Sequence, residues 1–482
     1  MKQIKYTPVE LEEGCSKAKI FTRKFISRNY LNLLLWSLAV IIITALYLGG
    51  IFTFLLEEDF ANYSHSLEID DFHNLIETID VSSRNLNTSS SRRFNRAAIV
   101  GILSHLENEN PKLKHAVPYS QFEGLNYTID IQPKCQEQWN MSRINKTEAS
   151  PYASIVLVVK SAVNNYAQRQ SIRDSWYQNK TIDDLFTFKT VFMVGACHET
   201  NRLLPSTLPS GNYKTWSSEI CDRTIRNESS YYGDIIQSSG IDTYYNNTIK
   251  IFMTFRWIVE RCPSDFLITI DDDFVFEVDN FITYIKSLIS DESKVTQPVT
   301  GSLASSSLDK KESHRGLHEI AISEQDTRSQ VAEPKIINSI RLLSHEYLYT
   351  GYLRNYVHPL RSILSKWYVS CNDYAYNRYP PFITGGACLM SFKTVKHFYL
   401  ASYFASSFRF DDVYVGMLAY KLGVSPVHNE FFMCDIDDYL AAKPLQTNST
   451  NCIGVHDIKP DELTNLWIQR NHFHSKKHIG DP

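Results

Sequence analysis

The segment FLITIDDDFVF at residues 266–276 places three adjacent carboxylates, Asp271, Asp272 and Asp273, between two short apolar runs. Neighbouring carboxylates repel one another and raise one another's pKa, so the run needs a cation or solvent to compensate it. FLITI has the composition of a buried strand, and α/β proteins gather ligand groups where their strands end. Such oxygen ligands suit Mg²⁺ or Mn²⁺ bridging to substrate phosphates. We therefore predict a divalent metal site that holds a diphosphate, with a solvated acidic turn as the alternative.

A second acidic pair, Asp411 and Asp412, lies in RFDDVYVG at residues 409–416. A carboxylate positioned by the fold can accept a proton from an attacking hydroxyl, which is the general-base role. The same pair could instead cap the helix that VYVGMLAYKLG predicts, because Asp favours helix N-termini. Gly385 and Gly386 in FITGGACLMS either allow a ligand close to the backbone or form a tight turn.

The elements that must position these residues are short β-branched runs alternating with segments of helical periodicity, beginning at Ala153. This alternation predicts an α/β fold with a mostly parallel sheet flanked by helices. With 482 residues, 43% of them hydrophobic, the chain can form one large domain plus appendages. We place that domain at residues 151–440, with a polar inserted loop at 302–346 and a C-terminal tail at 441–482. The net charge of −4 argues against nucleic acid as a partner.

The stretch from Leu31 to Leu56 contains no charged residue and, at about 1.5 Å per helical residue, is long enough to span a bilayer. Basic residues precede it and acidic residues follow it, which keeps the N-terminus cytoplasmic. We therefore predict a cytoplasmic tail (1–30), a transmembrane signal-anchor helix (31–56) and a luminal stem (57–150). A buried core helix or a cleaved signal peptide fits this stretch less well.

The residues after the predicted span have the features of a luminal glycoprotein. Nine Asn-X-Ser/Thr sequons, from Asn62 to Asn448, all follow the span. Eight of the nine cysteines also follow it, an even number in an oxidising compartment. The sequence does not choose among the 105 possible pairings, and some of these cysteines could stay as buried thiols. A zinc site is a weak alternative because no pair has C-x2-C spacing.

Six segments resemble, in order, the block motifs of the β-1,3-galactosyltransferase family. They are RQSIRDSW (169–176), YYGDIIQSSGIDTYYNNTIK (231–250), RWIVERCPSDFLITIDDDFVF (256–276), SKWYVS (365–370), YPPFITGGACLMS (379–391) and DDVYVGMLAYKLGVSP (411–426). The resemblance covers roughly residues 150–435. It implies a GT-A-type nucleotide-sugar-binding fold, and the type II topology is that of Golgi glycosyltransferases with a luminal catalytic domain.

The resemblance implies roles for the acidic residues. Asp271 and Asp272 would lie near the ribose and sugar of the donor, and Asp273 would ligate Mn²⁺ through the UDP diphosphate. Asp412 would be the base that deprotonates the acceptor hydroxyl. Asp411 stands where the family usually has Glu, one methylene longer, and would contact the donor or acceptor sugar.

The resemblance also implies roles for three residues outside the acidic motifs and for the glycine pair. His428 in PVHNEFF would supply an imidazole to the metal, although a lone histidine is more often structural. Arg169 and Arg173 would pair with uridine or diphosphate, or else form an internally paired helix face. Gly385 and Gly386 belong to the block expected at the donor.

Together these features predict transfer of a hexose, with galactose as the expected sugar, from a UDP-sugar to a glycan acceptor on a glycoprotein or glycolipid. The linkage would be β-1,3, formed with inversion in an Mn²⁺-dependent reaction. The alternatives are an N-acetylglucosaminyl- or N-acetylgalactosaminyltransferase, a non-catalytic Golgi relative and a cell-surface adhesion protein.

Overall fold

The structure is a computed structural model that describes residues 32–46, 57–60, 69–85, 96–109, 113, 116–131, 152–177, 181–182, 185–198, 218–290, 329–436, 439 and 451–477. The described residues fall into two compact units. The smaller unit includes residues 57–60 and Val357–Tyr379, and the larger unit takes the described residues from His65 to Tyr356 and from Pro380 onward.

The larger unit is built on a mixed sheet. Its described strands are β1 (Tyr127–Ile129), β2 (Ala153–Lys160), β3 (Thr181–Ile182), β4 (Phe186–Ala196), β5 (Ile235–Ile241), β6 (Phe266–Asp271), β7 (Val275–Phe276), β8 (Tyr349–Arg354), β9 (Phe382–Ser391), β10 (Val427–His428) and β11 (Gly454–Val455). The main sheet has the order β1-β5-β4-β2-β6-β9-β8-β10, with β3 on β4, and β7 pairs with β11 separately. The run β5-β4-β2-β6 is parallel, and β9 lies antiparallel to both β6 and β8. The predicted α/β fold with a mostly parallel central sheet is confirmed.

Strands β2 and β4 are buried along almost their whole length, as their near-continuous apolar sequences require. The described helices of this unit are α1 (Ile69–Asn85), α2 (Arg96–Glu109), α3 (Tyr166–Arg173), α4 (Ser218–Tyr232), α5 (Asn247–Glu260), α6 (Val278–Ser290), α7 (Ser329–Ser344), α8 (Phe392–Ala401), α9 (Asp411–Lys421) and α10 (Pro460–Lys477). Ile155, Leu157, Phe188 and Ile268 are fully buried within one hydrophobic core. This core fixes the strand ends on which the acidic motifs lie.

The predicted inserted loop is wrong for its last part, because residues 329–344 form helix α7. Ile337, Ile340 and Leu343 of this helix are buried in the main core. Their spacing of three residues is that of a helix with one apolar face, and the polar residues around them masked this periodicity. Residues 302–328 of the predicted loop lie outside the described residues.

Two segments predicted as appendages contribute packed elements to the larger unit. Helix α1, from the predicted stem, places Phe72 edge-on against Phe404 at 5.8 Å between ring centroids, and its Glu77 pairs with Lys393 at 3.2 Å. The predicted C-terminal tail is corrected, because it supplies strand β11 and helix α10, which packs against α3. In α1 the signal was present, because the buried residues Phe72, Leu75, Ile76 and Ile79 recur at helical spacing.

At the N-terminus, residues 32–46 are helical. Residues 47–56 of the predicted span lie outside the described residues. No helix within the described part of the chain combines the length and the apolar character needed to cross a bilayer.

Disulfides join Cys197 to Cys221 and Cys434 to Cys452. Cys262 is also disulfide-bonded. Cys388 on β9 is a buried thiol, and burial raises its pKa well above the usual range. This agrees with the expectation that some of the cysteines stay reduced.

Candidate active site

One buried lysine joins the two acidic motifs. In the parallel pair of β2 and β6, Lys160 lies opposite Asp271 at the carboxyl ends of both strands. Its ammonium nitrogen is 2.9 Å from Oδ1 of Asp271 and 2.5 Å from Oδ2 of Asp411. Sequence reasoning missed Lys160, although a single cation closing the apolar run ASIVLVV was a usable signal.

Lys160 and Asp271 hold each other in their charged forms. Burial alone would lower the pKa of Lys160, but Asp271 and Asp411 outweigh it and raise that pKa. Burial would likewise raise the pKa of Asp271, but Lys160 first, and then His456, hold it below its usual value. Asp271 is therefore a carboxylate at neutral pH.

Asp412 lies in the first turn of α9, and its Oδ1 accepts a hydrogen bond from the backbone N–H of Val413 at 2.7 Å. Burial, and then the negative charge of Asp411, raise its pKa to about 7. A pKa near the working pH suits a group that must accept a proton and pass it on. The cap alternative is not what the geometry shows, because Phe410 is the N-cap residue and both aspartates fall inside the helix.

Asp272 points into the protein rather than toward the other carboxylates. Its Oδ2 accepts hydrogen bonds from the Ser161 hydroxyl at 2.7 Å and from the Asn165 amide at 2.9 Å. Burial raises its pKa. Arg169 donates to the same Ser161 hydroxyl at 3.0 Å, so it supports Asp272 through one intermediate side chain.

Asp271, Asp273 and His456 form a cluster whose ligand atoms all lie within 4.8 Å of one another. The His456 Nε2 is 3.1 Å from Oδ1 of Asp273 and 3.6 Å from Oδ2 of Asp271. Hydrogen bonds to Asp271 and Asp273 raise the pKa of His456 to about 10. Oδ1 of Asp273 is itself buried, and its contact with the His456 imidazole is an ion pair. Two carboxylates and one imidazole suit a divalent cation.

The C-terminal part of the chain brings His456 to this position. It follows β11, which pairs antiparallel with β7, directly after the acidic run. The backbone N–H of Ile458 donates to the carbonyl of Asp273 at 2.9 Å, and the Cys434–Cys452 disulfide lies just before β11. The sequence signal was weak, since His456 follows the apolar run CIGV much as Asp271 follows FLIT.

His428 is not part of this cluster, so its predicted role as a metal ligand is corrected. It lies on β10, where its Nδ1 accepts the backbone N–H of Leu353 at 3.1 Å and its ring contacts Tyr352. Among the described residues, the imidazole that meets the acidic run comes from His456.

Gly385 and Gly386 lie within strand β9, so they are not a tight turn. A Cβ atom at Gly385 would lie 3.4 Å from Nζ of Lys160 and 3.5 Å from Oδ2 of Asp271. One at Gly386 would lie 3.3 Å from Cδ2 of His456. The missing side chains therefore keep a space open directly beside the charged cluster, and the close approach of a ligand to this backbone stays a prediction.

Arg169 and Arg173 do not face this space, and their predicted contact with uridine or diphosphate is corrected. Arg169 is fully buried, and two of its nitrogens donate to Glu228 at 2.8 and 2.7 Å. Arg173 pairs with Asp234 at 2.9 Å and with Glu228 at 2.9 Å. The internally paired alternative holds, because partner carboxylates on and beside α4 meet both guanidinium groups.

A mostly parallel sheet with acidic residues at its carboxyl edge fits a GT-A-like fold. A family model described as Galactosyltransferase matches residues 214–332 and 329–430. The chain is 27% identical over 320 residues to "Beta-1,3-galactosyltransferase brn" of Drosophila melanogaster, covering 65% of this chain and 74% of that protein.

Two further relatives support the same family. The chain is 26% identical over 329 residues to the human "Lactosylceramide 1,3-N-acetyl-beta-D-glucosaminyltransferase", covering 67% of this chain and 65% of that protein. It is 25% identical over 318 residues to "Beta-1,3-galactosyltransferase 5" of Pan troglodytes, covering 65% and 80% respectively. The family model and these relatives support the β-1,3-galactosyltransferase family, and the chain is a glycosyltransferase.

Proposed function

We propose that this protein transfers galactose from UDP-galactose to a hydroxyl group of a glycan acceptor, forming a β-1,3 linkage with inversion. One observation carries the proposal: Lys160 holds Asp271 and Asp411 together, so a base, Asp412, stands beside a cluster suited to a cation. The donor sugar is supported by the names of two relatives, both of them beta-1,3-galactosyltransferases.

In this proposal Asp412 accepts the proton of the acceptor hydroxyl as that oxygen attacks the anomeric carbon of the donor. A single displacement inverts the configuration, so an α-linked donor sugar gives a β-linked product. Lys160 keeps Asp271 ionised and holds both Asp271 and Asp411 in place. The positive charge of Lys160 also partly offsets the repulsion by Asp411 and Asp271 that raises the pKa of Asp412.

Asp271, Asp273 and His456 would hold Mn²⁺. When bound, the ion would neutralise the negative charge that develops on the departing UDP. The arrangement supports this assignment, because the ligand atoms of these three residues all lie within 4.8 Å of one another. The space beside Gly385 and Gly386 would take the donor, and Asp272 would lie near its ribose.

We also propose that the protein is anchored in the Golgi membrane by residues 31–56, with the catalytic unit in the lumen. The support is the uncharged stretch itself, the order of charges around it and the sequons that follow it. The human relative's name, which specifies lactosylceramide, is compatible with a glycolipid acceptor.

The proposal is tested by measuring UDP release from detergent-solubilised full-length protein. UDP-galactose, UDP-N-acetylglucosamine and UDP-N-acetylgalactosamine are supplied with Mn²⁺ or EDTA, with and without β-galactoside and N-acetylhexosaminide acceptors. We expect Mn²⁺-dependent release from UDP-galactose that Asp412→Asn abolishes. Asp461→Asn, an exposed acidic residue on α10, is the matched control and should retain full activity.

Each other outcome has a definite meaning. Release from UDP-N-acetylglucosamine alone would replace galactose by that sugar, which the name of the human relative also suggests. Release that EDTA does not suppress would overturn the metal assignment. Absence of release from every donor and acceptor in folded protein would indicate a non-catalytic relative.

A further inference from the structure

The smaller unit carries an exposed apolar surface. Within Val357–Tyr379, Leu360 is 47% exposed, Ile363 49%, Leu364 78% and Trp367 48%. The exposed residue Lys366 lies among them, with its Nζ 4.3 Å above the Trp367 ring. We call Leu360, Ile363, Leu364, Lys366 and Trp367 the Leu360–Trp367 patch. Isolated exposed apolar residues are ordinary, but four large ones within eight positions mark a surface that contacts something.

A buried arginine ties this patch to the residues just after the predicted span. Arg361, adjacent to Leu360, is 7% exposed, and its Nε donates to Oε1 of Glu57 at 2.8 Å. Its other nitrogens donate to the backbone carbonyls of Val369 at 2.9 Å and Tyr374 at 2.8 Å. Removing Glu57 would leave a buried cation without its carboxylate, so the attachment is strong.

Backbone hydrogen bonds also join residues 58–60 to the end of the Val357–Tyr379 segment. The N–H of Glu58 donates to the carbonyl of Ala375 at 2.9 Å, and the N–H of Asn377 donates to the carbonyl of Glu58 at 2.8 Å. The Phe60 N–H donates to the Asn377 side chain at 3.0 Å. The guanidinium of Arg378 lies 4.7 Å from the Phe60 ring centroid. The Val357–Tyr379 segment is therefore held to residues 57–60 by several independent contacts.

Chain connectivity then limits how far the patch can lie from the bilayer. Glu57 directly follows Leu56, the last residue of the uncharged stretch, and consecutive Cα atoms are about 3.8 Å apart. Glu57 therefore lies where the chain leaves the membrane, if residues 31–56 are the anchor proposed above. Because Arg361 contacts Glu57, the neighbouring Leu360 and Ile363 lie within a few side-chain lengths of the lipid headgroups.

We propose that the Leu360–Trp367 patch inserts into the luminal leaflet of the same membrane that anchors the chain. The composition fits a phospholipid interface: tryptophan favours the headgroup level, leucine and isoleucine enter the acyl region, and lysine meets lipid phosphate. The inference rests on the proposed membrane anchor. It adds a second attachment, which would hold the smaller unit on the bilayer instead of leaving it free on a tether.

The test uses full-length protein in nanodiscs of phosphatidylcholine, either plain or brominated near the top of the acyl chains. Bromine quenches tryptophan fluorescence only at close range, and the difference between wild type and Trp367→Phe isolates the contribution of Trp367. We expect that contribution to fall about twofold or more in brominated discs, as for an interfacial tryptophan. Discs containing a single copy of the protein are selected by mass, which removes contacts between copies.

Two other tryptophans distinguish failure of the proposed membrane anchor from failure of the proposed patch insertion. The contribution of Trp36, in the proposed anchor, is obtained in the same way from Trp36→Phe, and that of Trp467 on α10 from Trp467→Phe. Quenching of both Trp36 and Trp367 supports the inference. Quenching of Trp36 without Trp367 would overturn it while leaving the anchor intact, and would assign the patch to a protein partner. Absence of quenching at Trp36 would overturn the anchor, and this inference with it.

A second variant guards against a spurious signal. Leu364→Asp changes the most exposed apolar residue of the patch and leaves the Arg361–Glu57 pair untouched. It should reduce the quenching of Trp367 because a carboxylate resists entry into the bilayer. Unchanged quenching in this variant would contradict insertion of the patch, and Leu364→Met, which keeps the side chain apolar, should behave as wild type.

Discussion

Replacing Asp412 by Asn should stabilise the protein at alkaline pH while abolishing transfer. The pKa of Asp412 is raised from 3.8 to about 7 in the folded state, mainly by burial and then by Asp411. A folded-state pKa above the unfolded value means that the folded protein holds the proton more tightly. The stability that Asp412 contributes to the fold is therefore fully present below about pH 4 and is lost as the pH rises toward 7.

The size of this effect follows from the two pKa values. A difference of about three pH units corresponds to about 4 kcal/mol, and solvent around this partly exposed carboxylate reduces it to roughly 2 kcal/mol. Asn cannot ionise, so Asp412→Asn should gain this amount at pH 8 and nothing near pH 4. Its side-chain oxygen still accepts the Val413 N–H, which keeps the local geometry. Loss of the base should lower kcat by about 10²–10⁴-fold.

The assay is chemical denaturation of wild type and variant at a series of pH values from 4 to 8, together with the transfer rate. Asp411→Asn is the matched control, since it removes the 2.5 Å contact with buried Lys160 and should destabilise the protein by about 1–3 kcal/mol at pH 8. The two neighbouring substitutions should thus have opposite signs. A stability difference between wild type and Asp412→Asn that does not change with pH would refute the reasoning.

Three further predictions concern the cation cluster. His456→Gln removes the imidazole and should weaken Mn²⁺ binding at least about tenfold, as measured by electron paramagnetic resonance of free Mn²⁺, with unchanged circular dichroism. Gly386→Ala places a Cβ 3.3 Å from the His456 ring and should weaken Mn²⁺ binding several-fold, whereas Gly101→Ala, with nothing within 4 Å, should not. Cys452→Ser breaks the bond to Cys434 and should lower the free energy of unfolding by about 2–4 kcal/mol in denaturant titrations, with weaker Mn²⁺ binding because the strand before His456 is loosened. Unaltered Mn²⁺ affinity in all three variants would remove the cluster as the cation site.

The acidic residues were predictable because their signals are local. Asp271 to Asp273 follow a strand-like run directly, and Asp412 opens a helix-like run, so composition and position indicated both. It was not predictable that these two acidic motifs lie close together. Their proximity depends on Lys160, whose neighbour across the sheet is set by the parallel register of β2 and β6.

The predictions for Arg169, Arg173 and His428 failed for one common reason, which is long-range pairing. Arg169 and Arg173 look like a free cationic helix face until helix α4 supplies Glu228 and the following strand boundary supplies Asp234. No pattern within the helix of the arginines contains that information. His428 and His456 likewise resemble each other in sequence, each following a short apolar run, and only the pairing of β7 with β11 decides between them. Long-range pairing decides which histidine meets the acidic run, whereas local composition only indicates candidates.

The position of His456 in the chain also sets an order of assembly during biosynthesis. Every strand of the main sheet precedes it, and the disulfide that flanks its strand needs Cys452, which is made only four residues earlier. A growing chain could complete the sheet and the acidic run while still lacking the third ligand of the cluster. Cation binding would then require that the C-terminal strand has docked and that its disulfide has formed. A cell that supplies Mn²⁺ in the secretory pathway would therefore stabilise finished molecules over unfinished ones.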